Sequence, residues 1–455
     1  MNWRRVSTVL ALLVLTFGLL VAAIAAMAWR SLAARDGEWS HRLRFTLAGR
    51  TVEHPVSVVV LARTATHPLV RPLLDGRSID TAQGRWQLAL RPDGGVAARC
   101  EPCRFALPAL GPQPLPVERA ELIVFSDGAD RYHGTLSLGR VPRALTLDWR
   151  GRFDTKAGRL QLDARLPHTP LAHAVHVLGS ELPERDRVQV RGQLALSLAA
   201  RLPDGPWRIT PWVDGFEVHG LGTERLADLQ LPHACRVDAE AGVPTLTGWL
   251  PRAVIAAEDQ RFFEHPGYDL TAMLDAWQHN QKPGAPIAGA STLTQQLAKL
   301  TVTGDERSAT RKLRELLHAV EMERTLGKAR ILQLYLALAP WGEGVCGAER
   351  AVRVHLGQRD ASTLGPLAAA WLASLLTAPD AHLRTEQAAG QVDAARVTRV
   401  LEAMRPMRPE RREKALATLP FWSPPALARP RQAAPPPATA PDPRPDGPAA
   451  GSPSP

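Results

Sequence analysis

Cysteine is scarce in this chain, with 4 among 455 residues, and the scarcity limits metal and redox chemistry. Cys100 and Cys103 form one CEPC pair, while Cys235 and Cys346 stand apart. A single CxxC without a second pair or a histidine pair is a poor zinc signal. In an oxidising compartment it closes a small disulfide loop or serves as a redox pair, and the plain disulfide or free-thiol reading is preferred. Also lacking is any Lys/Arg tract or nucleic-acid-binding motif, although the formal charge is +10. Nucleic acid is therefore not an expected partner. An anionic membrane surface or a pyrophosphate substrate accounts for the charge instead.

Charge is absent from Val6 to Trp29, a run long enough to cross a bilayer, which takes roughly 20 apolar residues. Residues 1–5 carry Arg4 and Arg5 and belong on the cytoplasmic side. Ala22, Ala23 and Ala25 suit a signal-peptide end, but signal cores are shorter, so 6–29 reads as an uncleaved single-pass anchor. The rest of the chain then lies outside the cytoplasm.

Residues 36–240 read as a β-rich domain. Leu160-Leu162-Ala164-Leu166, Val188-Val190 and Leu194-Leu196-Leu198 alternate strictly. Asp93-Gly94, Asp127-Gly128, Asp204-Gly205 and Asp214-Gly215 punctuate such runs as turns. An open antiparallel sheet or a sandwich follows. From about Val243 the pattern becomes helical. Helices are expected at 270–279, after Ala309 with Leu313, Leu316, Leu317 and Val320 on a buried face, and from Arg330 to Leu338. The apolar run 364–378 is too short to span a membrane and reads as core. DAARVTRVLEAM and PERREKALATL read as two exposed amphipathic helices, and residues 423–455, rich in Pro and Ala, as a disordered tail. The fold class is multidomain α+β: an N-terminal transmembrane helix, an antiparallel β-rich domain, then a mainly α domain over 241–420.

The chemistry concentrates in that last domain. Glu258 ends the apolar run AVIAA; desolvation there raises a carboxyl pKa and makes a usable base near neutrality. The plainer reading is a helix-terminal acid paired with Arg261. Asp259, Phe262, His265 and Gly267 follow, with the histidine and glycine shaping a turn and the phenylalanines packing. In GASTLTQQLAKL, after Gly289, Ser291 and Thr292 suit a helix N-cap, with Gln295 and Gln296 in the first turn. Such a terminus also holds phosphates and sugars, and Lys299 adds a cation for phosphate. Arg311, Lys312 and Glu315 sit within about one helical turn, where an ordinary salt-bridge cluster explains them as well as function does.

Taken in order, these motifs resemble the peptidoglycan glycosyltransferases, a lysozyme-like family, over roughly residues 240–420. The first motif is kept as Glu258, Asp259, Phe262, His265 and Gly267. The second keeps Gly289, Ser291, Thr292, Gln295, Gln296 and Lys299, and the third Arg311, Lys312 and Glu315. The fourth keeps Tyr335, Leu336, Gly342, Gly347, Ala351 and Gly357. Departures are Leu300 for asparagine, Gln333 for glutamate, Ala337 for asparagine and Ala368 for an acid. No SxxK and no KTG occurs, so the penicillin-binding transpeptidase half of bifunctional relatives is absent.

The resemblance implies an inverting, monofunctional transglycosylase of peptidoglycan biosynthesis that polymerises lipid II with release of undecaprenyl pyrophosphate. Glu258 is the implied base. Lys299, Arg311 and Lys312 are the implied pyrophosphate site, and Glu315 orients those cations or holds a divalent ion. Magnesium is compatible with Glu315 but not required. Implied partners are lipid II, the nascent glycan strand, the bacterial inner membrane and a cell-wall synthesis complex, with the catalytic part in the periplasm. Two alternatives stand beside this: a weakened relative that binds lipid II or glycan in an envelope complex, and a lysozyme-like hydrolase, since two carboxylates also cleave glycosides.

Overall fold

The computed structural model describes residues 40–428, except 48–49, 106–112, 129, 155–156, 229–244, 283, 286–287 and 305–307. The anchor expected at 6–29 and most of the expected tail lie outside the described residues. Among the described residues no helix is long and apolar enough to cross a membrane.

Strands β1 (Ser40–Leu47) and β2 (Arg50–Ser57) pair as a hairpin, followed by helix α1 (Val58–Thr66). A nine-stranded antiparallel sheet comes next. It starts with β3 (Ser78–Thr81), β4 (Gly84–Leu90) and β5 (Val96–Cys100). The short strands β6 (Cys103–Phe105) and β7 (Leu115–Val117) leave it to pair with each other. β8 (Ala120–Gly128), β9 (Arg131–Leu138), β10 (Leu145–Asp154) and β11 (Arg159–Pro170) continue it. After α2 (Leu171–Leu178), the long strands β12 (Gln189–Leu202) and β13 (Trp207–His219) complete the edge. Apart from the β6–β7 excursion each strand pairs with its sequence neighbour. Of the two architectures open to the sequence, the single open sheet is the one formed.

Alternation decides the faces. On β10, Leu145 and Phe153 are buried while Thr146, Asp148, Arg150, Arg152 and Asp154 are exposed. The apolar face is covered at one end by α1, through Val58 and Ala62 against Tyr132, Phe153 and Leu160. At the other end α2 covers it, through Ala174 and Val177 against Leu145 and Leu166. Cys100 and Cys103 join that second cluster and are disulfide-bonded to each other. Cys346 is disulfide-bonded as well.

Two expectations are corrected here. Helix α2 interrupts the β region, because LAHAVHVL places Leu171, Ala174, Val175 and Val177 on one side at helical spacing. Asp214-Gly215 is no turn but a bulge inside β13, where the register with β12 shifts opposite Gly192. Gly192 has φ +104, and a Cβ there would lie 2.5 Å from the Gly215 carbonyl oxygen.

The helical unit contains α3 (Leu250–Glu258), α4 (Leu270–Asn280) and α5 (Leu293–Ala298), then a π-turn at Lys299–Thr303. It continues with α6 (Ala309–Thr325), α7 (Gly327–Leu338), α8 (Ala348–Leu356) and α9 (Pro366–Ser374). α10 (Pro379–Ala389), α11 (Ala394–Ala403) and α12 (Pro409–Thr418) finish it. Its core gathers Val254, Phe262, Leu297, Leu334, Trp341 and Trp371. Helix α9 is central to that core, as its apolar run suggests: Trp371 and Leu372 are fully buried. Helix α11 is less exposed than expected, because Val397, Val400 and Leu401 face the same core. The structured unit also runs past 420. Pro425–Ala428 forms a 3-10 turn with Ala426 buried, and Trp422 meets Trp371 edge-on, so the chain from Ser423 to Ala428 is packed rather than a free tail.

Candidate active site

The site begins where α3 stops. The backbone leaves the helix at Asp259, which has φ −159° and ψ 74° and stays buried. Its carboxylate accepts from His265 Nε2 at 3.0 Å and from the Leu293 amide, the first residue of α5, at 2.9 Å. The Gly267 amide donates to His265 Nδ1 at 3.2 Å. An amide can only donate, so the imidazole proton sits on Nε2 and points at Asp259. Thr292 Oγ1 in turn donates to the Gly267 carbonyl at 2.7 Å. Gly267 has φ +93, and a Cβ would come within 2.8 Å of the Ala319 carbonyl oxygen, so only glycine fits there. His265 and Gly267 thus build the turn that locks α3 to α5.

Phe262 is fully buried, as a packing residue should be, with Lys328 Nζ 4.4 Å from its ring centroid. Phe263 is not: it is 66% exposed. Lys328 also donates to the His265 carbonyl at 2.6 Å and pairs with Glu323 at 2.8 Å. Glu323 accepts from Thr294 Oγ1 at 2.6 Å. Neither Lys328 nor Glu323 stands out in the sequence, where both read as ordinary helix-surface charges.

Glu258 is half-buried and is not paired with Arg261, which binds Asp269 instead. Its Oε2 accepts from Gln296 Nε2 at 2.9 Å and its Oε1 from Thr377 Oγ1 at 3.3 Å. Behind Gln296, the fully buried Tyr335 hydroxyl donates to Gln296 Oε1 at 2.9 Å. That bond fixes the amide so that its NH2 faces the carboxylate. Burial pushes the Glu258 carboxyl above the ordinary carboxylate range; the Gln296 and Thr377 bonds oppose the shift and the charge of Asp259 adds to it. Burial also holds the Tyr335 hydroxyl well above its usual value, so it stays a donor. Thr377 was not legible as a site residue, since it follows an apolar helix as a lone threonine.

The second motif divides in two. Thr292 and Gln295 are buried, at 2% and 8% exposure, and form a reciprocal capping box at the start of α5. With Leu293 also bonded to Asp259, the Thr292, Leu293 and Gln295 amides are all engaged within the fold. Ser291 and Gln296 remain half-exposed. Ser291 Oγ accepts from Lys312 Nζ at 3.0 Å, which joins the second motif to the third. Lys299 opens the π-turn beyond α5. A Cβ on Gly289 would meet open space, so no steric need explains that glycine.

On α6, Glu315 is 2% exposed and gathers two cations. Arg311 pairs with its Oε1, and Lys312 reaches its Oε2 at 2.8 Å. Both oxygens of Glu315 face cations. No group of three His, Cys, Asp or Glu able to hold a metal occurs among the described residues. Glu315 is thus engaged on both oxygens by Arg311 and Lys312. The arrangement orients a cationic pair: Lys312 is 40% exposed and Arg311 11%.

A half-buried carboxylate with a raised pKa and a cationic pair, each bonded to a side chain of the same motif, suit proton abstraction with an anionic leaving group. Residues 240–405 match the family model described as Transglycosylase. Over that stretch the helical unit is similar to transglycosylases. The chain is 42% identical over 152 residues to a biosynthetic peptidoglycan transglycosylase of Nitrosomonas eutropha, covering 33% of this chain and 62% of that protein. It is 49% identical over 130 residues to one from Ralstonia nicotianae, covering 29% and 55%. A third, from Cupriavidus pinatubonensis, is 46% identical over 140 residues, covering 31% and 55%. The chain thus spans between about half and two thirds of the length of these relatives.

Three of the four departures are packing positions. Leu300, Ala337 and Ala368 are half-buried against the helical core. Gln333 accepts from Arg330 at 2.6 Å.

Proposed function

We propose that the chain is an inverting peptidoglycan glycosyltransferase that polymerises lipid II into glycan strands and releases undecaprenyl pyrophosphate. The setting of Glu258 carries the reading: a partly exposed, desolvated carboxylate held by Gln296 and Thr377. Ionised, it takes the proton of the acceptor sugar's 4-hydroxyl. The freed oxygen bonds to the anomeric carbon of the lipid-linked donor, the bond from that carbon to the phosphate oxygen breaks, and the electron pair leaves with the pyrophosphate. Arg311 and Lys312, oriented by Glu315, and Lys299 neutralise the charge on the leaving group. Ser291 and Gln296 hold Lys312 and Glu258 in place from the second motif. A cationic cluster serves a pyrophosphate better than a neutral sugar, which favours transfer over lysozyme-like hydrolysis.

In this reading residues 6–29 anchor the chain once in the bacterial inner membrane, with the catalytic part in the periplasm, where lipid II, the growing strand and a cell-wall synthesis complex are met. The core-packed Leu300, Ala337 and Ala368 favour a second reading, a weakened relative that binds lipid II or glycan without turnover. Detergent-solubilised protein with labelled lipid II separates them. Polymer from the wild type and none from Glu258→Gln supports the transferase, whereas retained binding with no polymer from either supports the binder.

A further inference from the structure

Helix α6 belongs to two structures at once. One side carries Arg311, Lys312 and Glu315; about half a turn around it, Arg314, Leu317, Val320 and Glu321 meet the β-rich domain. We propose that the β-rich domain is a clamp on α6, with Glu184, Arg314 and Glu321 as positioning residues for the cationic pair; this rests on the transferase reading above.

Two buried carboxylates make the clamp. Glu184, in the loop between α2 and β12, is 4% exposed and takes Arg314 Nε at 3.1 and 3.0 Å on its two oxygens. Glu321 is 1% exposed and accepts the Leu221 amide at 2.9 Å, the Thr223 amide at 3.1 Å and the Thr223 hydroxyl at 2.8 Å. Val175, Leu182, Val218 and Leu221 of the β-rich domain pack on Leu317 and Val320 between them. Apolar contact alone tolerates sliding. A buried carboxylate does not, because a displaced bond leaves a charge unpaired in a dry interface.

What the clamp holds is close to the chemistry. Arg314 is one residue from Glu315, so a shift of α6 at Arg314 moves Glu315 and its two cations with it. The far end of α6 carries Glu323, bonded to Thr294 and Lys328 beside the Asp259–His265 turn. Glu184 and Leu221–Thr223 lie outside the 240–405 stretch that matches the transglycosylase family. The partners of Arg314 and Glu321 are therefore supplied by the β-rich domain.

The test uses full-length protein and lipid II, with kcat and KM measured separately and thermal melting run on each variant. Glu184→Ala and Arg314→Ala are expected to lower kcat at least tenfold with KM changed less than threefold, since misplacing a transition-state contact by about an ångström costs on the order of 100-fold. The exchanged pair, Glu184→Arg with Arg314→Glu, is expected to recover most of the loss. Should the single variants fail to fold, Thr223→Val removes one bond to Glu321, and a fall in kcat without a fall in melting temperature supports the clamp. Unchanged kcat in folded variants, or loss that tracks only the unfolded fraction, overturns it. Absence of polymer from the wild type overturns the transferase reading instead.

Discussion

In the proposed reading Glu258 is the residue on which the chemistry turns, and its environment fixes how it must behave with pH. Burial places its carboxyl above the ordinary range. As a base it works only ionised, so the acid limb of kcat/KM against pH is expected above the value of a free glutamate, about 4.3. A limb at or below that value contradicts the assignment. Stability runs the other way. A carboxyl whose folded pKa is raised contributes stability below its unfolded pKa, and that contribution is lost as pH rises through the folded value. Glu258→Gln is thus expected to melt higher than wild type near neutrality and not at pH 4, measured by calorimetry at both. Gly267→Ala belongs to the same scale. With φ +93 and the Ala319 carbonyl 2.8 Å from the new Cβ, it is expected to destabilise by about 1–3 kcal/mol in denaturant titration, and an unchanged midpoint counts against the turn's rigidity.

At the scale of elements, α5 shows what a short sequence can and cannot reveal. The pattern Ser-Thr followed by two glutamines signalled a helix start, and Thr292 with Gln295 forms it. Its contact with Asp259 was not legible, because it joins residues 34 apart in sequence through a turn built on Gly267. Thr292→Ala, which loses the cap and the bond to the Gly267 carbonyl, is expected to cost about 1–2 kcal/mol in denaturant titration; a loss below a few tenths would mean the box is ornamental. Helices α6 and α7 were readable from spacing, since each repeats apolar residues over several turns. Helix α2 was hidden by the strands around it, and the bulge at Gly215 looked like a turn because Asp-Gly serves both. The four departures from the family motifs replace polar or acidic residues. Leu300, Ala337 and Ala368 continue the apolar core, which no local pattern distinguishes.

For the whole molecule, sequence alternation left an open sheet and a sandwich equally possible and did not show the attachment to α6, since Glu184 and Arg314 come from segments 130 residues apart. The charge-free run at 6–29 makes a prediction of its own. Full-length protein should sediment with membranes and need detergent for release, and a chain lacking residues 1–30 should sediment less. Equal behaviour of the two would assign membrane binding, if any, to the rest of the chain.

The most direct measurement of the central proposal is the initial rate of glycan polymer formation from labelled lipid II by wild type and Glu258→Gln, with lipid II binding measured on both. The account predicts polymer from the wild type, a rate lower by about 100- to 10,000-fold in the variant, and binding retained in each. Equal rates, or lipid II bound by the wild type with no polymer formed, would contradict it.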